Sequence, residues 1–114
     1  MTFNTKSTYG VDAMPAYVIS ELEVRDPDLI ESYRTLAARS IEQYGGRYLA
    51  RGGKAELIEG SPAPKLIVVV EFPSMARAKE WYGSSAYGEA LKFRINALDR
   101  RLLFVEGVEP VSRS

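Results

Sequence analysis

The chain contains neither histidine nor cysteine, and its 15 Lys and Arg are balanced by 15 Asp and Glu over 114 residues. Each absence removes a class of chemistry. Without histidine there is no Ser-His-Asp relay and no His-held haem. Without cysteine there is no thiolate nucleophile, disulfide framework or iron–sulfur site, and the lack of both residues removes zinc fingers. The remaining Asp and Glu stand at neither an EF-hand nor a facial-triad spacing, so no metal and no cofactor is expected. Formal neutrality lacks the clustered excess of base that releases counterions from nucleic acid or holds a protein on an anionic membrane. The longest aliphatic run, Leu66–Val70, is far shorter than the ~20 residues of a membrane helix. The expectation is a cytoplasmic protein with neither a nucleic-acid nor a membrane partner.

What is present suits one domain. A chain of this length buries only roughly 60–70% of its unfolded surface, so a second subunit would add usefully to the core. Met1–Ala13 shows no periodicity and no apolar signal segment and reads as a flexible extension, with the domain over residues 14–108 and a tail over 109–114. From Ala16 the pattern alternates, with Val18, Ser20, Leu22 and Val24 on one face and Tyr17, Ile19, Glu21 and Glu23 on the other, which predicts a strand. Asp26-Pro27 then predicts a capped helix start, and Leu29, Tyr33, Leu36, Ala37, Ile41 and Tyr44 recur at helical spacing up to Gly45-Gly46. Arg47–Arg51 predicts a short strand, Gly52-Gly53 a bulge, and Ala55–Glu59 its continuation. Lys65–Phe72, aliphatic on both faces, predicts a central strand.

Ser74 caps a helix carrying Met75, Ala78, Trp81 and Tyr82 inward, and Gly83-Ser84-Ser85 breaks and recaps it. A second piece places Tyr87, Ala90, Leu91, Arg94, Ile95 and Leu98 on one stripe, before a last strand at Arg101–Val108. The order strand, helix, strand, strand, helix, strand predicts an α+β, ferredoxin-like fold, an antiparallel four-stranded sheet with its helices on one face. The other sheet face, with Tyr17, Ile19, Ile67 and Val69, is too apolar to leave wet, which predicts a homodimer joined through the sheets.

Met14–Ile19, the Asp26-Pro27 cap, Tyr44–Leu49, Arg51-Gly52-Gly53, Glu59-Gly60, Val69–Ser74, and Trp81-Tyr82 followed by Ser84 and Tyr87 together resemble the domain of unknown function 1330 family. The resemblance covers Met14 to about Val108 and implies the dimeric α/β-barrel superfamily, whose ferredoxin-like subunits pair sheet to sheet. That superfamily includes cofactor-independent monooxygenases, muconolactone-isomerase-like enzymes, haem-dependent chlorite dismutases and ligand-sensing regulatory domains, so it implies architecture more than activity. Ser85 stands where the family often has proline. Glu21 stands where another polar residue, sometimes histidine, is often seen, which removes histidine chemistry here.

The residues available for chemistry are few. Glu21 and Glu71 fall on the dimer-facing side of neighbouring strands with Arg51 in reach; close carboxylates repel, which raises one and suits it to acid–base work, while pairing with Arg51 would make them structural. Arg94 lies on a stripe near Trp81 and Tyr82, where it grips a ligand carboxylate or enolate, or else snorkels to water. Tyrosines supply apolar walls with hydroxyl handles, Tyr17 and Tyr33 foremost, though such stripes also build plain cores. Arg51–Lys54 is too short for a phosphate loop, and Arg100-Arg101 beside Asp99 reads as a solvated turn.

The candidates are thus Glu21, Glu71 and Tyr33 for proton transfer, and Tyr17, Arg51, Trp81, Tyr82 and Arg94 for binding. They describe a homodimer that takes a small acidic or carbonyl-containing ligand between sheet and helices, or acts on it as a cofactor-independent enzyme of monooxygenase or isomerase type. The alternative is a non-enzymatic sensing or assembly module.

Overall fold

A computed structural model describes residues 14–63 and 66–108. The elements are β1 (Ala16–Val24), α1 (Pro27–Gln43), β2 (Arg47–Gly53), β3 (Leu66–Phe72), α2 (Met75–Tyr82), α3 (Ser85–Ala97) and β4 (Leu98–Glu106). The four strands form one sheet in the order β2-β3-β1-β4 with every neighbouring pair antiparallel. This is the ferredoxin-like arrangement, with the helices packed on one face of the sheet. No helix among the described residues is long and apolar enough to cross a membrane.

Local chemistry accounts for the element boundaries. The Asp26 carboxylate accepts from the backbone N–H groups of Asp28 and Leu29, with Pro27 at the position where a missing N–H costs nothing. Gly45, at φ 83°, turns the chain out of α1 through a conformation that a side chain would disfavour. Ser74 and Ser84 cap α2 and α3, each hydroxyl accepting from the backbone N–H three residues on.

Alternation decides what each strand buries. Ala16, Val18 and Ser20 of β1 are buried on the helix side, level with Phe72, Val70 and Val68 of β3. Above them sit Ala37 and Ile41 of α1, Ala78 and Trp81 of α2, and Tyr87 and Ala90 of α3. A smaller cluster of Ile30, Ala97 and Leu98 closes the end where α1 begins and α3 stops.

The sequence expectations meet three corrections. Ala55–Glu59 is not a strand, because β3 reaches back only to Leu66, opposite Leu22, and leaves that segment no partner; Leu57 and Ile58 lie exposed. The bulge falls where expected, with register shifts on either side of Arg51 and Gly52 at φ 78°. Ile95 is 65% exposed and leaves the buried stripe of α3, which runs through Tyr87, Ala90 and Ala97. The last strand begins at Leu98, three residues before the expected Arg101, so Arg100 is not in a turn at all. Lys65, the expected start of β3, the extension 1–13 and the tail 109–114 lie outside the described residues.

Candidate functional site

Between α1 and the helix-facing side of the sheet lies a cavity of about 80 Å³. Its floor is Val18, Ser20 and Leu22 of β1, flanked by Val68 and Val70 of β3 and by Arg100 and Leu102 of β4. Ile30, Tyr33, Ala37 and Ile41 of α1 roof it, Trp81 forms a wall, and Tyr48, Arg51 and Gly52 of β2 with Arg34 of α1 stand at its rim. This is the sheet–helix cleft expected from the sequence.

The polar centre is a triangle built from three elements. Tyr33 of α1 and Tyr87 of α3 place their hydroxyls 2.7 Å apart. Arg100 of β4 donates to both, through Nη1 to Tyr33 at 2.9 Å and through Nη2 to Tyr87 at 2.8 Å. The alternation Leu98, Arg100, Leu102, Phe104 turns the guanidinium into the core, since it shares a face with three inward apolar residues. Trp81 stacks on the Tyr87 ring, centroids 4.2 Å apart, and its indole N–H donates to Ser40 Oγ at 2.9 Å, so the wall behind the triangle is fixed.

Electrostatics follow from burial. Tyr87 is fully buried, and its phenol pKa is driven far above the usual range, first by desolvation, then by the Tyr33 oxygen, with Arg100 opposing. Burial works against the charge of Arg100, but the two phenol oxygens outweigh it and its pKa rises, so the guanidinium stays charged. Burial likewise raises Tyr48, partly countered by Arg51 stacked 4.2 Å from its ring centre.

Arg100 brings only donors, and the hydroxyl pair shares one proton between its oxygens, so one phenolic proton is left over. The Tyr87 hydroxyl, which does not line the cavity, makes no bond outside the triangle among the described residues. The economical arrangement has Tyr87 donate to Tyr33, leaving the Tyr33 O–H to point into the cavity. Ser20 adds a second donor: it is 5% exposed, and its Oγ has no hydrogen-bond partner among the described residues. Arg34 at the rim is paired with Glu31, but with Arg51 and Arg100 around it and no Asp or Glu in its lining the cavity offers donors and positive charge.

The sequence-derived candidates divide between the two faces of the sheet. Tyr33, Arg51 and Trp81 line the cavity. Tyr17, Glu21 and Glu71 belong to the other face: Tyr17 stands opposite Glu71, and Glu21 opposite Ile67, four residues further along β1. That offset puts the two carboxylates roughly 13 Å apart at the rise of a strand, so they do not form a pair. Each meets a different arginine from the expected Arg51: Arg47 Nε lies 2.8 Å from Glu71, which is 3% exposed, and Arg101 Nε lies 3.4 Å from Glu21. Tyr82 is 42% exposed and packs edge-on against Trp81 outside the cavity. Arg94 sits in the last turn of α3, a favourable place for a cation, and does not line the cavity. Arg100, which the late strand boundary hid, lines the cavity instead, and Ser20 was visible as the one hydroxyl on an otherwise apolar strand face. Among the described residues no group of His, Cys, Asp and Glu is arranged to hold a metal ion.

Comparison with known proteins agrees with this architecture. No curated protein matches the chain. A protein of unknown function from Rhodopseudomonas palustris is 24% identical, with 85% of each chain covered and a TM-score of 0.68. A dimeric ferredoxin-like protein of unknown function from Thermobifida fusca is 14% identical over 93% of this chain and 99% of that one, TM-score 0.56. A hypothetical protein from Arabidopsis thaliana is 16% identical over 90% and 92%, TM-score 0.54. These likenesses show the fold. The match to the family model over residues 15–108 does more, and by it the chain belongs to the family described as Domain of unknown function (DUF1330).

Proposed function

We propose that this protein is a homodimer that binds a small organic acid in the cleft between each sheet and its helices. The observation that carries the reading is Arg100, a charged guanidinium held on two phenols beside a cavity that has donors but no carboxylate in its lining. A carboxylate placed there meets Arg100 and the Tyr33 hydroxyl and offsets a charge that no carboxylate in the described lining compensates. The enclosed volume is about half the ~150 Å³ that accepts benzene, so a head of few atoms enters and the remainder emerges past Arg51.

Tyr33 also favours a catalytic use of the same site, since it lines the cavity and its hydroxyl is held by the charged Arg100. Glu21 and Glu71, on the far side of the sheet, take no part in this cleft. Titration with short carboxylates, followed by thermal shift or calorimetry, tests the reading. Binding is expected for wild type and lost in Arg100→Met; a chain that no carboxylate stabilises, under conditions that saturate typical millimolar sites, refutes it.

The dimer rests on the outer sheet face. Tyr17, Ile19, Ile67 and Val69 share it with Leu103 and Val105, which are 39% and 45% exposed. The Thermobifida fusca protein of the same fold is itself dimeric. A charge at Leu103, in Leu103→Glu, is expected to produce monomers in sedimentation at micromolar concentration; a wild-type chain that sediments as a monomer sinks the assembly.

A further inference from the structure

We propose that Ser20 selects the ligand, and that the acid bound is a 2-oxo acid, with its carboxylate on Arg100 and Tyr33 and its oxo oxygen on the Ser20 hydroxyl; this rests on the acid-binding reading of the cleft. A hydroxyl buried without a partner costs free energy, and the cost is recovered when a ligand supplies the acceptor. Ser20 is buried, lacks any partner among the described residues and lines the cavity.

The register sets the two contacts at different levels. On the helix-facing side of the sheet, Arg51, Val68, Ser20 and Leu102 form one cross-strand row, and Leu66, Leu22 and Arg100 the next. Arg100 carries its guanidinium up from the sheet to hydroxyls on α1 and α3, whereas the Ser20 hydroxyl stays at the sheet surface, one diagonal step away. A carboxylate clamped by Arg100 and Tyr33 sits at the level of the helix hydroxyls, one row along and one level above the Ser20 hydroxyl. An acceptor on the adjacent carbon reaches that hydroxyl, and the oxo group is the smallest that accepts without bringing a proton of its own. An adjacent hydroxyl would accept as well but must also place a hydrogen, and Val18, Leu22 and Val68 around Ser20 offer no side-chain acceptor for it.

Matched acids differing at that one carbon provide the test: pyruvate against propionate, and phenylpyruvate against 3-phenylpropionate, titrated into the full chain by calorimetry or NMR shift. Wild type is expected to bind the oxo member of each pair about tenfold more tightly. Ser20→Ala removes the preference, and Ser20→Thr, which keeps the hydroxyl, retains it. Equal binding of the pair by wild type, or a preference that survives Ser20→Ala, overturns the role of Ser20 while the acid-binding cleft stands. Failure of all four acids to bind, or binding that persists in Arg100→Met, overturns the cleft reading and this inference together.

Discussion

Tyr87→Phe removes one oxygen from a fully buried ring and leaves its shape, so the stacking on Trp81 at 4.2 Å survives and the polar triangle does not. Two bonds go: the hydroxyl contact with Tyr33 at 2.7 Å and the Arg100 donation at 2.8 Å. A neutral hydrogen bond is worth about 0.5–1.5 kcal/mol net and one to a charged donor about 1.5–3, while the lost hydroxyl no longer needs desolvating; a loss of roughly 2–3 kcal/mol results. For a domain of this size that is a fall in Tm of roughly 10–20 °C.

The pH dependence supplies a second, independent reading of the same atom. In the fold the Tyr87 phenol is held neutral well above its ordinary pKa of 10.0. Above that pH the unfolded chain releases the proton and the folded chain keeps it, so its contribution to stability is complete below the unfolded pKa. That contribution then falls as pH rises, by up to about 1.4 kcal/mol per unit. Phenylalanine has no proton to lose. Urea unfolding at fixed protomer concentration should therefore show a gap between wild type and Tyr87→Phe that is widest at pH 7–9 and narrows at pH 10–11. Equal stability at pH 7, or parallel profiles up to pH 11, would refute the triangle as drawn.

Further outcomes follow from packing and capping. A Cβ at Gly46 would lie 2.7 Å from Phe72 Cε1 and 2.8 Å from Ile41 Cγ2, so Gly46→Ala should cost about 1–3 kcal/mol by overpacking, read as a lower denaturation midpoint at unchanged slope. Asp26→Ala removes the oxygen that satisfies two N–H groups of α1 and should cost about 1 kcal/mol, with Asp26→Ser recovering most of it. Arg51→Ala, at the rim and stacked on Tyr48, should weaken binding of acids with long tails more than that of pyruvate, with little change in unfolding free energy.

The fold was legible in this sequence because its signals are local. Alternation in β1, the Asp26-Pro27 cap, the Gly45 exit and the serine caps each act within a few residues, and together they leave one topology. The site was legible only in part. Tyr33 and Trp81 lie where their positions on amphipathic helices put them, whereas Arg51, expected beside the carboxylates of the outer face, stands on the helix-facing side at the rim. Arg100 was hidden because α3 passes into β4 without a loop, at Ala97 and Leu98, and a charged pair beside Asp99 resembles a turn until the strand is extended three residues back. Glu21 and Glu71 were read on the correct face, yet their separation depends on the β1–β3 register, which no single strand encodes. The arginines that meet them, Arg101 and Arg47, come from strands paired in space and distant in sequence.

The irregular edge strand bears on how a ligand gets in. The triangle ties α1, α3 and β4 together, so parting those elements would break its bonds first. β2, an edge strand like β4, differs from it in slipping register twice within seven residues and in carrying Gly52 in a left-handed turn beside the rim. Its ladder is the least regular of the sheet, so local opening along it would admit a guest without disturbing the core. Amide protons of β2 should then exchange faster than those of β1 and β3, and an occupied cleft should slow them.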